Sequence, residues 1–172
     1  MPKIIKDLRP QIKNTALKEF EDIGFEAVTM RKLASKVGIG VGTLYNYFSN
    51  KEELYEEILI ESWQATYSKL QTHYGNQSLR KIIEIIYDDI VDRKGLGGYV
   101  LKFDVNETAI DTPLKKLLHQ TIESLIEYFK ENNVEYPRRK ATSLIIGIAN
   151  IIKTYPGERD INIEYYCHLI KE

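Results

Sequence analysis

The chain has 172 residues, of which 43% are hydrophobic and 28% charged, values that exclude a disordered protein and fit one or two compact domains. Charges run through the first 13 residues, which excludes a signal peptide there, and the longest apolar-rich run, residues 144–152, is too short to span a bilayer. The single cysteine, Cys167, cannot form an internal disulfide. We therefore expect a soluble, cytoplasmic protein without a membrane partner.

The net charge of −1 is unevenly distributed along the chain. Residues 1–51 carry nine Lys or Arg against five Asp or Glu, a net charge of +4, and the remainder carries −5. A basic N-terminal third is what phosphate binding at that end requires, although solvated faces are often lopsided by chance.

Helical periodicity begins close to the N-terminus. Apolar residues recur at steps of four, four and three from Ile12 to Ile23, which predicts a helix over about residues 7–23 that ends at Gly24. Thr29 is predicted to cap a second helix. Gly38 then closes that helix, because glycine readily adopts a left-handed conformation.

The rest of the chain also has the pattern of helices. A third short helix is predicted over residues 41–47, and "SNKE", Ser49 to Glu52, has the form of a capping box for a long helix that reaches residue 74. Further helices are predicted at about 79–93, 99–110, 113–132, 138–154 and 162–171. With no strand pattern, the predicted fold is all-α: a three-helix unit in residues 1–50 and a larger helical body in residues 51–172.

The second and third helices have the spacing of a helix-turn-helix. Ala34 is small enough for the two helices to cross, Gly38 suits the turn, and Leu44 can pin the third helix to the second. The tip of the third helix can then enter the major groove of DNA, because the small residues Gly40 and Gly42 allow close approach of the backbone.

Polar side chains on this third helix suit DNA contacts. Thr43 and Asn46 can hydrogen-bond to bases or phosphates, and Tyr45, Tyr47 and Lys51 offer hydroxyl groups and a cation to phosphates. The alternative is a surface helical hairpin in which Phe48 is a core residue and Tyr45 is either a core or a surface residue.

The stretch "TMRKLASKVGIGVGTLYNYFSNKEEL", residues 29–54, resembles the DNA-binding domain of the tetracycline-repressor (TetR) family of bacterial regulators. Matches include the capping Thr29, the turn Gly38, and the run Gly-Thr-Leu-Tyr-x-Tyr-Phe over residues 42–48. The resemblance covers about residues 8–60. One departure is Gly40, which stands where many members have a serine whose hydroxyl can contact phosphate.

The resemblance implies roles for individual residues. It implies that the third helix faces bases and that basic and hydroxyl groups around it bind phosphates. The implied base contacts are Val41, Gly42, Thr43 and Asn46, with Arg31 reaching a guanine or a phosphate. The implied phosphate contacts are Thr29, Tyr47 and Lys51, together with the Tyr45 hydroxyl suggested above. Lys3, Lys6 and Arg9 would add sequence-independent attraction.

Tight binding to a specific DNA site requires two such helices, so we expect a homodimer on a palindromic double-stranded operator. The helix over residues 138–154 is apolar all round, which indicates burial on more than one side. A second subunit would cover one side, and the alternative is a central helix of a monomeric core. The predicted interface residues are Leu144, Ile145, Ile148, Ile152, Tyr166, Leu169 and Ile170.

The body is predicted to bind an unknown small-molecule effector that favours a state unable to bind DNA. Aromatic residues that could line the pocket are Trp63, Tyr67, Tyr74, Tyr87, Tyr99 and Phe103, each of which could instead belong to the core or surface. The three histidines have no metal-ligand spacing, and no catalytic constellation is visible, so no metal, cofactor or enzyme activity is predicted.

The leading hypothesis is a ligand-responsive transcriptional repressor. The alternative is a helical dimer that binds a protein partner and does not use its DNA-binding fold.

Overall fold

A computed structural model describes residues 8–73, 78–93 and 112–171. Eight helices and no strand occur in these ranges. They are α1 (Leu8–Ile23), α2 (Met30–Val37), α3 (Val41–Tyr45), α4 (Lys51–His73), α5 (Leu79–Asp92), α6 (Pro113–Glu131), α7 (Pro137–Thr154) and α8 (Arg159–Lys171). The all-α fold is therefore confirmed, and the helix predicted over residues 99–110 lies outside the described residues.

The chain divides into two compact units, residues 1–61 and residues 62–172, and the division falls within α4. The boundary predicted between residues 50 and 51 stays a prediction about how the chain divides by function.

The first unit contains α1, α2, α3 and the first half of α4. The predicted apolar face of α1 is buried, since Ile12, Ala16 and Phe20 are at most 1% exposed, whereas Ile23 at the end of the helix is 41% exposed. Gly24 ends the helix in the left-handed conformation, with φ +80°, and its N–H donates to the Phe20 carbonyl.

The start of α4 differs in detail from the predicted capping box. The helix begins one residue later than a Ser49 cap requires: the Asn50 side-chain oxygen accepts from the Glu53 N–H at 2.7 Å. In return, Glu53 accepts from the Ser49 N–H and hydroxyl, each at 2.6 Å. The bond from the helix to its cap is therefore made one position further along the chain, by Asn50 and Glu53, whereas the backbone donor to the acidic side chain is still Ser49.

The second unit contains the end of α4 and α5 to α8. Helix α7 packs against three neighbours, α5, α6 and α8, all in the same chain. Gly147 allows the close contact with α8, because a Cβ built at this position would lie 2.2 Å from the Tyr166 hydroxyl oxygen.

This packing bears on the predicted dimer interface, which stays a prediction. The three helices around α7 bury much of its apolar surface, whereas Ile146, Ile151 and Ile152 stay half-buried. The all-round apolar sequence therefore does not by itself decide whether a second subunit covers this helix. Five of the seven predicted interface residues are buried inside the chain, namely Leu144, Ile145, Ile148, Tyr166 and Ile170. The other two differ: Ile152 is half-buried, and Leu169 is 42% exposed.

Candidate nucleic-acid interface

The junction of α2 and α3 has the geometry of a helix-turn-helix. The Thr29 hydroxyl oxygen accepts from the Lys32 N–H and caps α2. Gly38 closes the helix with φ +79°, and its N–H donates to the Ala34 carbonyl at 3.0 Å. The structure therefore contains both features that the sequence predicts here, the Thr29 cap and the left-handed Gly38.

Burial fixes which side of α3 faces outward. Leu44 is fully buried and Phe48 is 1% exposed, so this side attaches the helix to the unit and Phe48 is a core residue. Contacts with the interior of the unit therefore stabilise α3, which has only five residues and would not be a stable helix by itself.

The opposite side of α3 is open. Gly42, Thr43 and Asn46 are exposed, and Tyr45 is 50% exposed, so Tyr45 is a surface residue. A Cβ built on Gly42 meets no atom within 4 Å, which leaves the backbone accessible at this point. Val41 and Tyr47 are half-buried. Four of the five predicted base-contacting residues, Val41, Gly42, Thr43 and Asn46, therefore lie together on or beside one exposed helix tip, and the fifth, Arg31, lies on α2.

Basic and hydroxyl groups lie at the start of α2, the helix that packs against α3 in the same unit. Arg31 and Lys32 are exposed in the first turn of α2, and neither forms an ion pair within the described ranges. Thr29 is exposed as well. Because its oxygen accepts from the Lys32 N–H, the hydroxyl hydrogen can still be donated to a phosphate.

Lys51 already has partners within the unit. Its ammonium group donates to the Phe25 carbonyl at 2.8 Å and lies 4.2 Å from the centre of the Phe25 ring. It can approach a phosphate only by sharing or exchanging these contacts. The sequence could not reveal this, since Phe25 is 26 positions away.

Arg9 is also engaged. Its guanidinium group donates to the Tyr47 carbonyl at 3.2 Å, pairs with Glu57, and lies 4.4 Å from the centre of the Phe48 ring. It therefore braces the end of α3 against α1. Lys3 and Lys6 lie outside the described residues.

Ion pairs reduce the positive charge that the sequence suggested for this unit. Hydrogen bonds from Arg9 and Lys13 lower the pKa of Glu57 to about 2, against the opposing effect of burial. Lys36 likewise pairs with Glu19, which is 3% exposed. Among the described residues of this unit, the cations without an ion pair are Lys18, Arg31, Lys32 and Lys51.

In the body, the described aromatic residues of the predicted effector pocket take part in the packing of the second unit. Trp63 is 1% exposed and lies against Arg93, and the Tyr87 hydroxyl accepts from the Asn162 amide at 3.0 Å. Tyr67 is half-buried. Tyr74, Tyr99 and Phe103 lie outside the described residues.

Arg93 lies outside every motif found in the sequence. It follows the buried Ile86 and Ile90 at helical spacing, which places it on the apolar face of α5, and this spacing is the signal that could have identified it. Among the described residues there is no cluster of three or more potential metal ligands, and none of their helices is long and apolar enough to cross a membrane.

Comparison with known proteins places this geometry among regulators. The family model described as "Bacterial regulatory proteins, tetR family" matches residues 12–58, which include α2, the turn and α3. A helix-turn-helix transcriptional regulator of Staphylococcus aureus (strain USA300) is 24% identical, covering 96% of this chain and 91% of the relative. The regulator YhgD of Bacillus subtilis (strain 168) is 42% identical over 52 residues, 30% of this chain and 27% of YhgD.

Solved structures share the fold over most of the chain. A tetR-family regulatory protein from Rhodococcus RHA1 has a TM-score of 0.74 at 14% identity, covering 96% of this chain and 97% of that one. The regulator FadR from Bacillus subtilis, solved in complex with stearoyl-CoA, has a TM-score of 0.69 at 12% identity, covering 95% and 97%.

Proposed function

We propose that this chain, as a DNA-binding transcriptional regulator of the tetR family of bacterial regulatory proteins, is a repressor. In this proposal it binds a palindromic operator as a homodimer, and a small-molecule effector releases it. Residues 1–50 supply DNA binding, and residues 51–172 supply effector binding and dimerisation.

The observation that carries the proposal is the exposed tip of α3. Its backbone is open at Gly42, its hydrogen-bonding side chains Thr43 and Asn46 face outward, and its other side is fixed by Leu44. A rigidly held tip of this kind suits base readout in the major groove. We assign the base contacts to Val41, Gly42, Thr43 and Asn46, with Arg31 on a guanine or a phosphate.

We assign the phosphate contacts to groups at the sides of the tip. Thr29, Tyr45 and Tyr47 offer hydroxyl groups, and Lys51 offers its ammonium group. Arg9, being tied to Glu57 and Tyr47, contributes long-range attraction and holds α3 in place. These contacts set affinity rather than sequence preference.

Dimerisation through α8 is supported by a stripe of apolar residues left uncovered in the single chain. Ile161, Tyr165 and Leu169 follow one another at intervals of four and are 66%, 52% and 42% exposed. They lie on the side of α8 opposite the buried Ile163 and Ile170. An exposed apolar stripe on one helix fits a two-fold interface in which it meets its own copy.

A quantitative binding assay against a palindromic operator and its single-base variants tests the proposal. Removal of the Asn46 amide in Asn46→Ala should change the preference at one base position, by about 1–3 kcal/mol, because a base contact is lost. Lys51→Ala, the matched phosphate-contact control, should weaken binding to all sequences alike.

The salt dependence provides a second measurement. If about six phosphates are neutralised per dimer, the slope of log K against log salt should be about −5. An equal loss of affinity for every operator variant in Asn46→Ala would contradict the base-contact assignment. Binding without salt dependence would contradict the proposed mode of DNA binding.

A further inference from the structure

Arg93, at the end of α5, is a buried cation in the second unit. Its backbone is helical, with φ −72° and ψ −12°, and the residue is 3% exposed. Burying an arginine is costly unless its charge and its five N–H groups find partners. The partners of its charge and of its N–H groups therefore indicate what else the side chain can bind.

Neutral oxygens satisfy one side of the guanidinium group. Nε donates to the Ser62 hydroxyl at 2.7 Å, and Nη2 donates to the Ser62 carbonyl at 3.1 Å and to the Thr66 hydroxyl. The guanidinium carbon lies 4.0 Å from the centre of the Trp63 ring. These contacts, all within the second unit, hold the group in one orientation.

The other side is unsatisfied. Nη1 is buried and has no hydrogen-bond partner among the residues that the structure describes, which leaves two N–H donors unused there. Asp89 is connected to Arg93 through Thr66, whose hydroxyl donates to Asp89 at 2.7 Å, and the second Asp89 oxygen accepts from Lys69 at 2.5 Å. Within the described ranges, no carboxylate forms an ion pair with Arg93.

The influences on the pKa of Arg93 agree with the lack of a direct carboxylate partner. Burial lowers the pKa of Arg93 to about 10, while Asp89 and Asp92 act in the opposite direction. The group nevertheless stays protonated at neutral pH. A buried positive charge with two unused donors is best stabilised by an anionic oxygen.

We propose that Nη1 of Arg93 binds the carboxylate of a small organic acid with an apolar body, and that this acid belongs to the effector class of the regulator. A single N–H of this nitrogen can donate to one carboxylate oxygen, whereas a phosphate requires more donors to replace its hydration. The Trp63 ring and the buried Ile86 and Ile90 on the same face of α5 favour an apolar body. The effector role, but not the binding site itself, rests on the proposed function.

The chain contains a reporter for this site. Trp63 is its single tryptophan and lies against the guanidinium group, so an anion at Nη1 should change the tryptophan emission. The probes are hexanoate, the nearly isosteric neutral hexanamide, and inorganic phosphate, with affinities checked by isothermal titration calorimetry. We expect hexanoate to bind at least about tenfold more tightly than either other probe.

Arg93→Met removes the charge and keeps the apolar stem, and it should weaken hexanoate binding by about tenfold or more without changing hexanamide binding. The matched control is Arg159→Met, because Arg159 is an exposed arginine of the same unit that pairs with Asp88. This control should bind hexanoate like the unmodified protein. Circular dichroism establishes that each variant is folded.

Equal affinity of the unmodified protein for hexanoate and hexanamide would overturn the proposal, and this comparison requires no variant. Unchanged hexanoate binding in folded Arg93→Met would overturn it as well. These measurements contain no DNA, so they are independent of the operator assay. If the operator assay fails while Arg93-dependent hexanoate binding is observed, the site is supported and the proposed repressor function is contradicted.

Discussion

At the scale of single residues, two glycines of the helix-turn-helix are there for different reasons. Gly38 has φ +79°, a conformation that side-chain-bearing residues rarely adopt, although nothing lies within 4 Å of a Cβ built on it. Gly42 is helical, and its built Cβ also meets no atom. The fold therefore requires glycine at position 38 but not at position 42, where only a ligand would be obstructed by a side chain.

The pair gives a prediction that separates folding from DNA binding. Gly42→Ala should raise the free energy of unfolding by up to about 1 kcal/mol, because alanine favours helix, and should weaken operator binding by blocking the backbone. Gly38→Ala should lower the free energy of unfolding by about 1–2 kcal/mol through left-handed strain. Urea denaturation and operator titration measure the two effects. Operator affinity unchanged in Gly42→Ala would show that the α3 backbone does not approach the bases.

At the scale of helices, the start of α4 shows how a local motif can be assigned one residue out of register. "SNKE" and the overlapping "NKEE" both fit a polar cap followed three residues later by an acid, and the structure uses Asn50 with Glu53. Ser49 adds its N–H and hydroxyl to the Glu53 carboxylate. Which of the two residues caps the helix depends on the path that the chain takes after Phe48, which is buried in the core.

The cap register can be tested with three substitutions. Asn50→Ala should lower the free energy of unfolding by about 1 kcal/mol, because the Glu53 N–H loses its acceptor. Glu53→Ala should also be destabilising, since Ser49 loses its partner. Glu52→Ala, the control, removes an exposed carboxylate and should change stability little. A cost for Glu52→Ala equal to that for Asn50→Ala, measured by urea denaturation, would favour the cap register read from the sequence.

Helix α7 shows a different limit of sequence reasoning. Its apolar residues correctly indicated burial on several sides, but periodicity does not identify the partner. In the structure, α5, α6 and α8 of the same chain surround it. The apolar residues that these contacts leave exposed lie on α8, and half-buried ones remain on α7, so we expect a dimer interface on these two helices.

At the scale of the whole molecule, self-association is the main prediction. Ile161→Glu with Leu169→Glu places charges on the exposed stripe of α8 and should convert a dimer into a monomer, because a buried, unpaired carboxylate is costly at an interface. Val91→Glu, at an apolar residue of α5 that is 38% exposed, is the matched control and should stay dimeric. Sedimentation at low micromolar concentration measures the mass. A monomeric unmodified protein would contradict the proposed interface and the two-fold operator.

The amino-acid sequence by itself determined most of the local structure. The all-α fold, the Thr29 cap, the left-handed Gly38 and the motif around α3 depend on neighbouring residues, so spacing and residue type suffice to predict them. The exposure of Thr43 and Asn46 could also be expected, because they flank the buried Leu44 on a short helix.

Only the tertiary structure decided which partners distant residues have. It placed Phe25 against Lys51, Glu57 against Arg9, three helices around α7 and Trp63 against Arg93. The physical reason is that periodicity specifies which face of a helix is buried but not what buries it. Charge pairing and burial between distant residues depend on packing in three dimensions, which no local pattern encodes.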